Sequence, residues 1–338
     1  MTANELAIAL RQSRGFAHKT DISDVITALA RSHSGGVDAM AQAVAVGDDC
    51  AAIALPGGGY SLLAIEGLVE DFIEHMPWFA GYCSVMVNVS DVYAMGGRPV
   101  AVVDALWSDG MAQASDMLAG MATAAQRYGV PIVGGHSNNR AKRGQLAVAI
   151  LGHAKSLLTS FNARPGDQLV MAMDLRGAWH DPYPYWDASS KAPPERLRAD
   201  LALLPEIAET GLCDAAKDIS MAGAVGTALM LLECSRVGAR IDVDAIPRPP
   251  GTADGPALFR WLTAFPSYGF VLSLRPEQVA PVIAKFRARD LACAVVGEVT
   301  AAPEVLLARG SDSALLWDTS ERPFITAALG AAATAETL

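Results

Sequence analysis

No Cys-x-x-Cys pair occurs in this chain. Its five cysteines, Cys50, Cys83, Cys213, Cys234 and Cys293, are scattered. That spacing signals neither a zinc site nor a disulfide framework, and it suits a reducing cytoplasm. No stretch reads G-x-x-x-x-G-K-[ST], which excludes a P-loop, and no G-x-G-x-x-G follows a strand. A nucleotide, if one binds, is held by other means. Long hydrophobic runs are also missing. The longest, around MAGAVGTALMLL, falls short of the roughly 20 residues that cross a bilayer. The opening MTANELAIALRQSRG carries Glu5 inside a short apolar run and does not read as a secretory signal. Positive charge is in deficit. The net charge of −10 argues against nucleic acid or an anionic membrane surface as partner. An acidic protein still binds a polyanionic nucleotide where divalent metal bridges the two sets of charges.

What is present is apolar and periodic. At 338 residues the soft expectation is two domains, and 51% hydrophobic residues suffice for large cores. Residues 21–32 read as a helix with Asp21 and Ser23 as caps. CAAIALPGGGYSLLAIEGL reads as two strands joined by a turn at Gly57 to Gly59. An apolar helix over 81–95 is stopped by Gly96, Gly97 and Pro99. AVVDALW is a strand, 113–128 a helix ended by Gly129, VPIVGG a strand running into a glycine turn, and QLAVAILGHA a strand. The polar, Pro/Gly-bearing NARPGDQ marks a break, so the domains are expected at 1–157 and 158–325. Beyond it, helices are expected near 195–210, 220–236 and 276–289, and strands near 239–243, 267–274, 293–299 and 304–308. LRGAWHDPYPYWDASSKAPPER reads as a loop, and the tail AALGAAATAETL as a loose or helical end. Alternating strands and helices in both halves predict a mixed α/β architecture.

Four places carry chemistry. In VNVSDVYAMGGRPV the spacing puts Asn88 and Asp91 on one face of an otherwise apolar helix. AVGDDCAAI sets Asp48 and Asp49 side by side after a glycine. Adjacent carboxylates repel unless solvated or bridged by a cation, so this is either a plain Asp-rich turn or a magnesium site. KDISMAG places Asp218 at what reads as a helix start, as a cap or as a metal or phosphate ligand. GGHSNN sets His136, Ser137 and Asn138 after two glycines, whose bare backbone admits a bulky anionic ligand.

In order, GDDCAAI, NVSDVYAMGGRP, GGHS, RPGDQLV, KDISMAG, IPRPPG and VVGEVT resemble the aminoimidazole ribonucleotide synthetase superfamily, and within it selenophosphate synthetase most. The resemblance runs from about residue 12 to 300. It implies a two-domain mixed α+β fold, with the N-terminal domains of a homodimer building a shared β-barrel and a C-terminal α/β sandwich. It implies ATP with Mg2+ as cofactors and a small-molecule substrate. Carried onto this chain, Asp49 and Asp91 hold metal beside Asp48, and Asn88 lies close to the phosphates. Asp218 supplies a further carboxylate, and Glu66 falls where the family often has an aspartate. Gly134, Gly135, His136 and Ser137 line the nucleotide site.

The chain departs from selenophosphate synthetase at three points. SRGFAHKTDI keeps a lysine, Lys19, but His18 and Ala17 stand where the reactive cysteine is expected. A thiolate suits selenide far better than an imidazole does, so selenide is not the expected substrate. His18 is then a candidate general base and Lys19 a phosphoryl-contacting charge. AMDLRGAWH replaces the family's Lys-Pro-Leu-Gly, and PSYGF replaces a segment rich in Thr, Ser and Gly. The expected function is phosphorylation of a small molecule by an ATP-dependent kinase or synthetase. The alternatives are a nucleotide-binding regulatory or assembly protein without turnover, and an enzyme similar to thiamine-phosphate kinase.

Overall fold

The computed structural model describes residues 1–32 and 47–326. Two helices open the chain. α1 (Ala3–Arg11) starts at a capping box, where Thr2 accepts from the Glu5 N–H at 3.1 Å and Glu5 accepts from the Thr2 N–H at 2.8 Å. α2 (Arg14–Ser32) begins well before the expected position 21, so Asp21 and Ser23 lie inside it and cap nothing. The Ser23 hydroxyl donates instead to the Thr326 carbonyl at 2.6 Å. Strands β1 (Ala51–Ala54) and β2 (Tyr60–Gly67) form the expected hairpin. Then come α3 (Glu70–His75), α4 (Pro77–Ala94), β3 (Arg98–Asp109), α5 (Gly110–Tyr128), β4 (Ile132–Asn138) and β5 (Arg140–Ala154). β6 (Gln168–Met173) precedes a short hairpin of β7 (Ala178–His180) and β8 (Tyr185–Asp187), in a stretch that reads from sequence as loop. α6 (Pro194–Leu201), α7 (Leu203–Glu209), β9 (Ala215–Asp218), α8 (Gly223–Cys234), β10 (Gly238–Asp242), α9 (Gly255–Leu262), β11 (Gly269–Leu274) and α10 (Pro276–Arg287) follow. β12 (Ala292–Thr300), β13 (Glu304–Arg309) and β14 (Asp312–Asp318) complete them. The tail AALGAAATAETL lies outside the described residues.

The chain divides into two compact units that alternate along the sequence. One comprises Asp49–Leu157 and Ala188–Thr210; the other comprises the described parts of Met1–Asp48, Leu158–Asp187 and Gly211–Leu338. Residue 157 is thus one crossing point. The described parts of 1–48, and 188–210, pack with the opposite unit from the one a single cut there gives them.

The first unit is a five-stranded sheet in the order β1-β2-β5-β3-β4. β3 and β4 run parallel, and the other neighbours antiparallel. Strand alternation sends Leu62, Ala64, Val102, Leu106, Val148 and Ile150 to a buried face. α4 contacts β2, β3 and β5 there, and α5 packs on α4. The two helices approach so closely that only glycine fits: a Cβ on Gly81 would stand 2.0 Å from the Met117 carbonyl oxygen, and one on Gly120 1.9 Å from that of Trp78. The opposite face carries Ile53, Leu63, Ile65, Val103 and Leu151, all exposed. This sheet is open. Its edge strands β1 and β4 do not pair with each other, so the expected barrel is not closed within this chain.

The second unit is a seven-stranded sheet in the order β14-β13-β10-β12-β6-β11-β9. α8 packs on β9, β10 and β11, α10 on β6 and β12, and α1 on β13 and β14. Glu233 on α8 is buried. It accepts from the backbone N–H groups of Phe324, Ile325 and Thr326 at 2.6, 2.8 and 3.3 Å, and from the Thr326 hydroxyl at 3.1 Å. Phe324 in turn meets Phe16 of α2, their ring centroids 5.0 Å apart. Each unit combines sheet and helix, so the fold is mixed α+β.

Candidate functional site

α4 is apolar and buried along most of its length, yet Asn88 and Asp91 are buried on it at 0% and 6% exposure. The two polar groups have different fates. The Asn88 amide donates to the Ser84 carbonyl at 2.8 Å and to the Val148 carbonyl on β5 at 2.9 Å. Both donors are spent inside the unit, and the side chain reaches no surface. Through these two bonds the Asn88 amide ties helix to sheet. Asp91 instead has a carboxylate oxygen within 4.8 Å of one from Asp49, which precedes β1 in the same unit. Carboxylates so close repel each other unless a cation lies between them. Their donor set is all oxygen, the hard chemistry that Mg2+ takes, so the residues present fit that ion.

Asp48 and Glu66 are placed differently. Asp48 belongs to the second unit, and its side chain is fully buried. It accepts from the Ser160 N–H and hydroxyl, each at 2.6 Å, and lies 3.6 Å from the buried Lys217 ammonium. That geometry anchors the chain at Asp48. Neither Asp48 nor Glu66 belongs to the close carboxylate set, and Glu66 is exposed near the end of β2. Asp218 does not begin a helix. It ends β9, opposite Phe270 of β11, and α8 starts only at Gly223. It is buried at 3% exposure, and the Ser267 hydroxyl lies 3.4 Å from its Oδ2.

His18 and Lys19 sit half-buried on α2, an ordered helix, and Arg14 Nε lies 3.4 Å from His18 Nε2. Gly134, Gly135, His136 and Ser137 do not form the expected turn. They continue β4, an edge strand exposed throughout. The second glycine has a packing reason. A Cβ on Gly135 would stand 2.3 Å from Oδ1 of Asp104 on β3. Burial pushes the Asp104 carboxyl above the usual carboxylate range, partly opposed by a backbone hydrogen bond. Asp104 escaped the sequence reading; the signal was a lone carboxylate inside the apolar strand AVVDALW.

Comparison with known proteins places both units. Residues 47–154 match the family described as AIR synthase related protein, N-terminal domain, and residues 169–308 match its C-terminal domain. An uncharacterised protein of Synechocystis sp. is 48% identical over 321 residues, covering 94% of this chain and 97% of its own. A selenide, water dikinase of Myxococcus xanthus is 27% identical, covering 59% of this chain and 59% of its own. The structure of T. maritima PurL complexed with ADP superimposes with a TM-score of 0.70 at 20% identity. The match covers 84% of this chain but 47% of that one, so this chain spans about half its length.

Proposed function

Because this chain belongs to the AIR synthase related protein family, we propose that it is an ATP- and Mg2+-dependent kinase or synthetase that phosphorylates a small molecule. The carrying observation is the pair of carboxylates, Asp49 and Asp91, within 4.8 Å of each other. The dikinase relative and the ADP held by the PurL structure support a phosphoryl-transfer reading. When bound, Mg2+ supplies charge neutralisation of the triphosphate. Asp49 and Asp91 hold the cation, and Asp218 is kept as a proposed further carboxylate ligand on the strength of KDISMAG. Lys19 offers a mobile point charge to phosphate oxygens, and His18 a base for the acceptor's proton. The exposed run from Gly134 to Ser137 offers a strand edge to the nucleotide.

We extend the proposal to a homodimer formed through the apolar face of the five-stranded sheet. All five cysteines are free, which suits the cytoplasm. Among the described residues no helix is long and apolar enough to cross a membrane. The test is calorimetric titration of ATP into the protein. Binding with Mg2+ and its loss with EDTA are expected; equal affinity in both overturns the metal role. A screen for ADP release across small metabolites then identifies the acceptor.

A further inference from the structure

The segment PSYGF and Phe265 just before it are held from both sides within the seven-stranded unit. The Phe265 N–H donates to the Pro184 carbonyl at 3.1 Å, and the Phe265 carbonyl accepts from the Trp186 N–H at 2.9 Å. The Ser267 N–H donates to the Ile219 carbonyl at 3.3 Å. The Tyr268 and Gly269 carbonyls accept from the N–H groups of Asp174 and Ile219 at 2.8 and 2.9 Å. Inside this clamp Ser267 has φ +48°, the left-handed region that residues with a Cβ enter at a cost. Glycine adopts such a φ freely, and the chain does place glycine two residues on. There a Cβ would meet the Ala172 carbonyl oxygen at 2.4 Å. At 267 a serine stands where glycine would relieve the backbone, so the side chain is held there against a backbone cost. Its hydroxyl is directed at Asp218 Oδ2, 3.4 Å away.

The backbone of Asp218 is already fixed by its pairing with Phe270 on β11. What the strand does not fix is the rotation of the carboxylate. Outer hydrogen bonds to a ligating carboxylate hold its orientation and tune its affinity for metal. We infer that Ser267 is a positioning residue: its strained backbone aims the hydroxyl that orients the Asp218 carboxylate toward a divalent cation. The inference rests on the reading of Asp218 as a metal ligand.

The test uses Mn2+ in place of Mg2+, with ATP present, and reads protein-bound Mn2+ by enhanced water proton relaxation. Thermal unfolding of the metal-free protein is measured in parallel. Ser267→Ala removes the hydroxyl and keeps the backbone cost; Ser267→Gly removes both. Both are expected to weaken Mn2+ binding by roughly 10- to 100-fold. Ser267→Gly is expected to melt at or above the wild-type temperature. A merely structural serine gives the opposite pattern, with metal affinity kept in Ser267→Gly, and that result overturns the inference. Asp218→Asn separates the two readings. If it leaves Mn2+ affinity unchanged, Asp218 is not a ligand and the proposal falls at that point. If Asp218→Asn weakens binding and Ser267→Gly does not, only the role of Ser267 falls.

Discussion

Asn88 and Val148 are joined by a 2.9 Å hydrogen bond that ties the middle of α4 to β5. The bond is fully buried, so its loss costs more than a surface bond. Asn88→Leu should lower the unfolding free energy by about 1–3 kcal/mol. Mg2+–ATP affinity of the folded fraction should be unchanged. Urea unfolding paired with calorimetry checks both. Lost affinity at full stability would instead set Asn88 at the nucleotide site.

Asp91 should behave in the opposite way. Asp91→Asn keeps the shape and removes the charge that faces Asp49. ATP turnover should fall by at least about 100-fold, since even outer-shell changes cost 10- to 100-fold in metal sites. The melting temperature should hold or rise, because a like-charge repulsion is relieved. A fall in melting temperature with turnover intact would make Asp91 a structural residue.

These two residues show what the sequence discloses and what it withholds. Spacing set Asn88 and Asp91 on one helical face, and that reading holds. It could not say what that face meets, and Val148 and Asp49 decide it. The β1–β2 hairpin was legible because a glycine turn separates two alternating apolar runs. α4 was legible because Gly96 and Gly97 end it. β9 was missed because Lys217 and Asp218 look like a helix entrance. They are buried instead, with Lys217 paired to Asp48. The GGHS run suggested a turn because glycine frees the backbone. The structure uses Gly135 to make room for the Asp104 carboxylate, a reason visible only once β3 and β4 lie side by side. The barrel, too, was an inference from resemblance, and a single chain supplies only an open sheet.

Asp104 gives a pH signature. Its native pKa is raised by burial, so the folded state binds its proton more tightly than the unfolded chain does. Stability should therefore fall as pH rises from about 4, the ordinary carboxylate value, through the raised native one. Below that window both states are protonated and the contribution is flat. Asp104→Asn should remove this slope and stabilise the protein at neutral pH. Urea midpoints measured from acid to neutral pH check it. An identical slope in the variant would assign the effect to another group.

The exposed face of the five-stranded sheet makes the last prediction. Sheet register aligns Leu63 with Leu151, and in the next row Ile65 with Ala149 and Ala149 with Val103. Ile65 is 69% exposed and Leu63 50%, so the rows form a contiguous apolar surface rather than scattered side chains. A surface of this kind, backed among the described residues by helices on its other side, is what a self-complementary two-fold interface covers. The wild type should therefore scatter light as twice its 35.3 kDa mass, with a melting temperature that rises with protein concentration. Leu63→Lys with Ile65→Lys puts two charges into the centre of that surface. The variant should run as a monomer whose melting temperature no longer depends on concentration. A wild type that stays at the mass of one chain across a wide concentration range would remove the dimer.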